Sequence, residues 1–164
     1  MPTLRTSRLI LPPLSDANWP GFLALRNNPN VMRFMGEQAC ENELRLKFES
    51  RLGGNVFAIY EAQGEFVGDI GLQISSQNAQ EADVGYALLP QAQGKGLAQE
   101  ALAAICDYGF TSLRLTAINA WVLAENLGSV RLLEKLGFKR TQVLEKAFQM
   151  DGEYYDDWVY RLER

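Results

Sequence analysis

The sequence predicts a mixed α/β fold with a mostly antiparallel central sheet of about seven strands and about four helices. Strand-like and helix-like segments follow in the order β-α-α-β-β-β-α-β-α-β-β, so strands outnumber helices. Several strands succeed each other through hairpin-type turns, which excludes a wholly parallel sheet. The central stretch, residues 82–104, runs from a strand through a glycine-rich turn into a helix.

Size and composition indicate one globular domain over residues 1–164. The 18.4 kDa chain is 47% hydrophobic and long enough to bury a substantial core. A net charge of −4 disfavours unspecific binding to nucleic acid or to an anionic membrane, and it favours a cationic or neutral substrate. No apolar run resembles a signal peptide or a membrane span. We therefore expect a cytoplasmic protein in which Cys40 and Cys106 are free thiols.

The N-terminal half is predicted to contain three strands and two helices. Ser15 or Asp16 can cap the first helix, which ends before Pro29 because a residue preceding proline avoids helical geometry. Gly64 marks the turn between the second and third strands. The strands are expected at residues 6–14, 56–60 and 66–74, and the helices at residues 16–27 and 41–52.

The C-terminal half begins with a strand carrying Val84, Tyr86 and Leu88, which Pro90 ends because proline cannot donate to a strand ladder. A helix with apolar residues at three- and four-residue spacing starts at Leu97. Further strands are expected at residues 116–123, 139–148 and 153–162, and a helix at residues 126–136 that ends at Gly137.

The glycine-rich turn has the sequence Gln93-Gly94-Lys95-Gly96-Leu97-Ala98 and is called here the glycine loop (residues 93–98). The first turn of a helix presents N–H groups without intrahelical partners, and its dipole favours an anion. Glycines let the backbone approach a bulky anion closely, so the loop suits a phosphate group. The alternative is that both glycines only permit a tight turn between strand and helix.

Two common phosphate motifs do not fit the glycine loop. The nucleoside-triphosphate loop requires glycine where Leu89 stands and Ser or Thr where Gly96 stands. The dinucleotide fingerprint requires a small residue where Gln99 stands. Either ligand is therefore disfavoured.

The chain contains no histidine. This absence removes the usual Ser-His-Asp and Cys-His nucleophilic sites. Two separated cysteines cannot supply the ligands of a zinc site, so we predict no metal. Acid–base chemistry must then fall to carboxylates, hydroxyl groups, a lysine or water.

The glycine loop matches the pattern Gln/Arg-x-x-Gly-x-Gly/Ala and resembles the acetyl-CoA pyrophosphate loop of the GNAT superfamily of N-acetyltransferases. Further segments resemble the branch typified by ribosomal-protein N-terminal acetyltransferases (RimJ/RimL type). They are residues 6–11, 28–35, 124–129, 132–138 and 156–160. The resemblance implies the GNAT fold, acetyl-CoA as cofactor, and a monomer or homodimer that acetylates a primary amine, such as a protein N-terminal α-amine.

The resemblance also implies roles for individual residues. Main-chain N–H groups of the glycine loop would bind the pyrophosphate, and the N–H of Leu88 would receive the thioester carbonyl and stabilise oxyanion charge. Asn126 would hydrogen-bond the pantetheine arm, and as an alternative or in addition it would cap a helix.

The proton donor and acceptor are less clearly marked. Many GNAT enzymes carry a tyrosine at the position of Leu133 to protonate the leaving thiolate, so here Ser129 is the nearest candidate. A serine there is also an ordinary helix-start residue. Candidate bases are Asp83, Glu125 and Asp156, and Asp156 matches a family pattern with a tyrosine four residues later.

Three alternative functions stay open at this stage. The acceptor could be a small-molecule amine, because related chains acetylate polyamines, antibiotics and amino acids. The protein could be a CoA-binding regulator without catalysis, which only the missing tyrosine favours. It could also be a non-enzymatic adaptor, which the intact glycine loop disfavours.

Overall fold

The computed structural model describes residues 1–36 and 39–164, with eight strands and four α-helices among them. The strands are β1 (Leu4–Arg5), β2 (Leu9–Leu11), β3 (Asn55–Glu61), β4 (Phe66–Ile74), β5 (Glu81–Leu88), β6 (Ala117–Leu123), β7 (Lys139–Met150) and β8 (Glu153–Glu163). The helices are α1 (Trp19–Arg26), α2 (Glu41–Arg51), α3 (Leu97–Thr111) and α4 (Leu127–Lys135).

The strands hydrogen-bond in the order β1-β2-β3-β4-β5-β6-β8-β7. Strand pairs β1–β2, β2–β3, β6–β8 and β7–β8 are antiparallel, whereas β5 and β6 are parallel. The prediction of a mixed, mostly antiparallel sheet is therefore confirmed. The parallel pairs join Glu81 to Ala117, Ala82 to Ile118 and Asp83 to Asn119, in the first half of each strand.

The predicted first strand at residues 6–14 is too long, because only Leu9–Leu11 within it form a strand, β2. Thr6 instead turns the chain: its N–H donates to the Leu9 carbonyl, and its hydroxyl accepts the Leu9 N–H, both at 3.0 Å. This turn separates β1 from β2, which pair as a hairpin. A threonine that hydrogen-bonds its own backbone neighbourhood competes with an extended strand. The sheet consequently has one strand more than predicted.

The predicted end of α4 agrees with the structure, whereas the predicted cap of α1 does not, because the N-cap of α1 is Asn18 and not Ser15 or Asp16. The Ser15 N–H donates to the side chain of Asn18 at 2.9 Å in a capping box, although the box opens a short 3₁₀ turn that precedes α1. Gly137, at φ 95°, ends α4, and the Phe138 N–H returns to the Leu133 carbonyl at 3.0 Å.

The chain divides into two compact units, residues 1–71 with 86–105, and residues 72–85 with 106–164. In the first unit, Phe22 of α1 and Phe48 of α2 are buried with ring centroids 5.2 Å apart. In the second unit, a Cβ added to Gly109 of α3 would lie 3.1 Å from the side chains of Leu72, Leu115 and Ile118. Each unit thus packs helical residues tightly against apolar side chains.

Candidate functional site

The glycine loop adopts the backbone geometry that its two glycines permit. Gly94 has φ 76° and Gly96 has φ 79°, in the left-handed region that L-residues with a side chain rarely adopt. A Cβ at Gly94 would have no atom within 4 Å, and one at Gly96 would meet only Arg8 Nη2 at 3.3 Å. The loop therefore leaves open space beside its backbone where a ligand could approach.

Helix α3 begins at Leu97, directly after that open segment. Its first N–H groups lack intrahelical partners, so they can donate to an anion at the end of the loop. The side chain of Leu97 is 3% exposed and anchors the helix in the core. Residues 93–96 are exposed and Ala98 is half-buried. The exposed residues 93–96 are therefore the part of this segment that a ligand can reach directly.

The strand end that leads into the loop is held on two sides. Gln93 Nε2 donates to the Leu88 carbonyl at 3.0 Å, which fastens the start of the loop to the end of β5. Gly68 of β4 lies so close that an added Cβ would be 2.2 Å from the Ala87 carbonyl oxygen and 2.9 Å from a Leu88 methyl group. Leu88 is itself buried. The backbone at Leu88 is thus fixed by packing.

Arg8 of the β1–β2 turn lies beside the glycine loop, and no local sequence pattern predicts this contact. Its Nη1 donates to the Lys95 carbonyl at 2.8 Å, and its Nε pairs with Glu100 Oε1 at 2.9 Å. Thr6 Oγ1 also donates to the Glu100 carboxylate. Because Arg8 and Glu100 are 92 positions apart, only the folded chain brings them together.

Glu100 stays ionised in this network. Partial burial raises the pKa of its carboxyl, but the hydrogen bonds from Thr6 and Arg8 outweigh burial and hold the pKa below its ordinary value of 4.5. A negative charge in the first turn of α3 is also favoured by the helix dipole.

In the second unit, Asn126 caps α4 as its alternative assignment predicted. Its Oδ1 accepts the Ser129 N–H at 3.3 Å, and its carbonyl accepts the Val130 N–H at 3.0 Å. Asn126 and Ser129 are both half-buried. Leu133, at the position where many GNAT enzymes have tyrosine, is 1% exposed and packs in the core. No phenol stands at that position, and Ser129 is the hydroxyl residue of the first turn.

Asp156 supports the sheet. Its Oδ1 accepts the N–H of Lys146 at 2.9 Å, and Lys146 has φ 50° at a register shift within β7. Tyr160, the other member of the family pattern, donates its hydroxyl to Glu134 Oε2 at 2.9 Å. The two residues therefore have separate partners. The catalytic role of Asp156 stays a prediction.

Two other acids have raised pKa values. Burial raises the pKa of Asp83, and the neighbouring charge of Glu81 adds to the shift, whereas a hydrogen bond from Trp121 opposes it. Burial also raises the pKa of Asp157. Carboxyl groups with raised pKa values are candidates for proton transfer, so Asp157 joins the predicted candidate Asp83. The third predicted candidate, Glu125, is exposed.

Across residues 1–36 and 39–164, no group of three or more His, Cys, Asp or Glu side chains could hold a metal ion. None of the helices in this described part is both long and apolar enough to span a membrane.

Residues 8–139 match the family described as acetyltransferase (GNAT) domain. The chain is 31% identical to the uncharacterised N-acetyltransferase YoaA of Bacillus subtilis (strain 168), over 98% of this chain and 96% of that protein. It is also 31% identical to a spermidine N(1)-acetyltransferase of Vibrio cholerae, over 80% of this chain and 79% of that protein.

Solved structures are similar to the whole chain. The spermidine N-acetyltransferase of Vibrio cholerae in complex with CoA and spermine superposes with a TM-score of 0.87 at 28% identity, covering 96% of each chain. A GNAT-family acetyltransferase from Bacillus anthracis gives a TM-score of 0.89 at 24% identity, covering 99% of this chain and 98% of that chain. The second likeness concerns the fold alone.

Proposed function

Since the chain belongs to the GNAT acetyltransferase family, we propose that it transfers the acetyl group of acetyl-CoA to a primary amine of a small cationic molecule of the polyamine class. It is an N-acetyltransferase and uses acetyl-CoA. The observation that carries the acetyl-CoA part of the proposal is the glycine loop, with two left-handed glycines and open space at Gly94.

The glycine loop suits the pyrophosphate of CoA by shape and charge. Its exposed backbone and the first N–H groups of α3 can donate to phosphate oxygens, and Lys95 adds a positive side chain. Residues Gln93, Gly94, Gly96, Leu97 and Ala98 would contribute main-chain contacts. No side chain at Gly94 or Gly96 obstructs a bulky anion.

The Leu88 N–H would receive the thioester carbonyl, as the resemblance to the family implies, and the close packing of Gly68 holds the backbone there. A donor fixed before the reaction stabilises oxyanion charge without reorganising during it. Asn126 would bind the pantetheine arm through its amide nitrogen, since its Oδ1 already accepts the Ser129 N–H. Capping and ligand binding thus use different atoms of one amide.

The reaction would be direct attack of the neutral amine on the acetyl carbon, which breaks the carbon–sulfur bond. Ser129 Oγ would donate a proton to the departing sulfur and would regain one from water, so that the free thiol of CoA leaves and the serine hydroxyl is restored. Asp156 would accept the proton lost by the amine, directly or through water, and Asp83 is the alternative acceptor. CoA supplies a good leaving group, so the protein mainly needs to provide orientation and a polarised carbonyl.

Two observations support a small cationic acceptor. The chain is 31% identical to spermidine N(1)-acetyltransferases from two species, including that of Escherichia coli (strain K12). Its net charge of −4 also favours a cationic substrate. A protein N-terminal α-amine is the second candidate acceptor, and only the resemblance of residues 124–129 and 132–138 to the RimJ/RimL-type branch favours it.

A thiol-release assay with acetyl-CoA tests the proposal. Spermidine and spermine should give release well above the rate without acceptor, and mono-acetylated product should appear by mass spectrometry. Peptides with a free N-terminal α-amine form the second arm, with N-acetylated peptides as their control. Thiol release with the peptides but not with the polyamines would contradict a polyamine acceptor and favour a protein N-terminal α-amine. CoA binding without release for any amine would identify a regulator without catalysis.

We also propose that residues 1–164 form one GNAT domain, a monomer or homodimer in the cytoplasm. A relative with 31% identity supports the single domain, because the alignment covers 98% of this chain and 96% of the relative. Free thiols at both Cys40 and Cys106 support a reducing compartment.

A further inference from the structure

We propose that Arg8 is a positioning residue of the cofactor site, which holds the glycine loop in its binding conformation and places positive charge beside Gly96. This inference rests on the proposed function of the loop. It concerns a residue outside the loop and far from it in sequence.

The first support is the set of contacts that Arg8 makes. Its side chain donates to the carbonyl of Lys95, the residue between the two left-handed glycines, at 2.8 Å. The same guanidinium pairs with Glu100 on the first turn of α3 at 2.9 Å, and the Arg8 N–H donates to Glu100 Oε2 at 2.9 Å. Arg8 therefore bonds both the middle of the loop and the helix that follows it.

The second support is the place of the remaining nitrogen. Arg8 Nη2 lies 3.3 Å from the point where a Cβ of Gly96 would stand, so the guanidinium lies directly beside the exposed glycine loop. The side chain is 50% exposed, so an anion can reach it. A guanidinium can bond a carbonyl, a carboxylate and a phosphate oxygen at once because its donors lie in a planar fork.

The third support is the charge balance around the loop. Glu100 is ionised and would repel a pyrophosphate if it stood alone at the start of α3. Arg8 neutralises this carboxylate at close range, and Thr6 binds it as well. An ordinary exposed ion pair would contribute little to stability. Its position beside the loop would instead make it contribute to CoA affinity.

The test compares two acetyl donors: acetyl-CoA, which carries the pyrophosphate, and S-acetylpantetheine, which lacks it. CoA affinity is measured by calorimetry, and kcat/KM is measured with acetyl-CoA and with S-acetylpantetheine. The variants are Arg8→Met and Arg8→Lys. Arg45→Met is the matched control, because Arg45 is also a partly exposed arginine paired with a glutamate, at 3.0 Å.

Arg8→Met should weaken CoA binding by at least about tenfold and lower kcat/KM for acetyl-CoA through KM. Its kcat/KM for S-acetylpantetheine should match the parent, because that donor has no phosphate. Arg8→Lys keeps the charge but cannot form the same fork, so it should show a smaller loss. Arg45→Met should bind CoA like the parent.

The inference would be overturned if Arg8→Met bound CoA within about twofold of the parent, or if both donors lost kcat/KM equally. If Arg8→Met does not fold, parent-like CoA affinity in Arg8→Lys overturns it. Failure of the parent to bind CoA is a different result, since it would contradict the proposed function itself.

Discussion

The glycine loop before α3 and the first turn of α4 are both helix starts assigned to cofactor binding, but they are built differently. The loop relies on distant residues: Arg8 bonds the Lys95 carbonyl across 87 positions. The first turn of α4 is local, because Asn126 caps it through Ser129 three residues later. A loop that binds through its backbone should lose affinity when a substitution adds a bulky or charged side chain. A turn that acts through its side chains should lose function when those side chains are shortened to alanine.

The largest effect is expected at Ser129. Ser129→Ala should lower the single-turnover rate at saturating acetyl-CoA by at least about 100-fold, because general acid assistance is worth roughly that much or more. CoA affinity should stay close to that of the parent, since thiolate charge appears only as the bond breaks. Ser50→Ala, which removes an exposed serine hydroxyl from α2, is the control. Turnover within a few-fold of the parent would leave water as the proton donor.

Gly68→Ala tests whether packing fixes the strand end that leads into the loop. The added methyl would stand 2.2 Å from the Ala87 carbonyl oxygen, so the backbone must move. We expect a loss of about 1–3 kcal/mol in the free energy of unfolding and a lower turnover rate. Gly85→Ala is the control, because a Cβ at Gly85 meets nothing within 4 Å. Equal stability of the two variants in urea denaturation would contradict the packing assignment.

Asn126 separates capping from ligand binding. Asn126→Ala should cost about 1 kcal/mol of stability through the lost cap and should also weaken CoA binding. Asn126→Asp keeps an oxygen acceptor for the Ser129 N–H but loses the amide donors, so it should retain stability and still lose CoA affinity. Thermal denaturation and calorimetry measure the two quantities. Parent-like CoA affinity in Asn126→Asp would reduce Asn126 to a helix cap.

The smallest effect is the pH dependence of Glu100. Its folded-state pKa is lowered, so the carboxylate contributes stability above the unfolded pKa near 4.5, and this contribution is lost as pH falls through the folded pKa. The parent should exceed Glu100→Gln in unfolding free energy by up to about 1 kcal/mol at pH 7. The difference should shrink below pH 4.5. A difference that is constant from pH 7 to pH 3 would exclude ionisation of Glu100 as its cause.

Much of the fold follows from local sequence signals. Hydrophobic periodicity predicted α3, and the glycine at position 137 predicted the end of α4. Residues 6–14 were assigned to one strand, but the hydroxyl of Thr6 accepts the Leu9 N–H and turns the chain before the apolar residues 9–11. Periodicity reports which side chains face a core, whereas a turn depends on one side-chain hydrogen bond to the backbone.

Some parts of the candidate site can be predicted from local sequence, whereas others depend on tertiary contacts. The glycine loop and the Asn126 cap are contiguous motifs, so the sequence contains them whole. The contacts of Arg8 with Lys95 and Glu100 depend on how the β1–β2 turn meets the loop and α3, which no local pattern encodes. The close approach of Gly68 to Ala87 is also tertiary, since an isolated glycine in a strand does not identify the neighbour it admits.

Calorimetric titration of CoA into Gly96→Glu tests the loop assignment most directly. The variant places a side chain and a negative charge where the pyrophosphate is assigned, so affinity should fall by more than about tenfold, at least ~1.4 kcal/mol. Gly64→Glu is the matched control, because Gly64 also has a positive φ, 104°, and open space for a Cβ. It should bind CoA like the parent. Unchanged CoA affinity in a folded Gly96→Glu variant would contradict the assignment of the glycine loop.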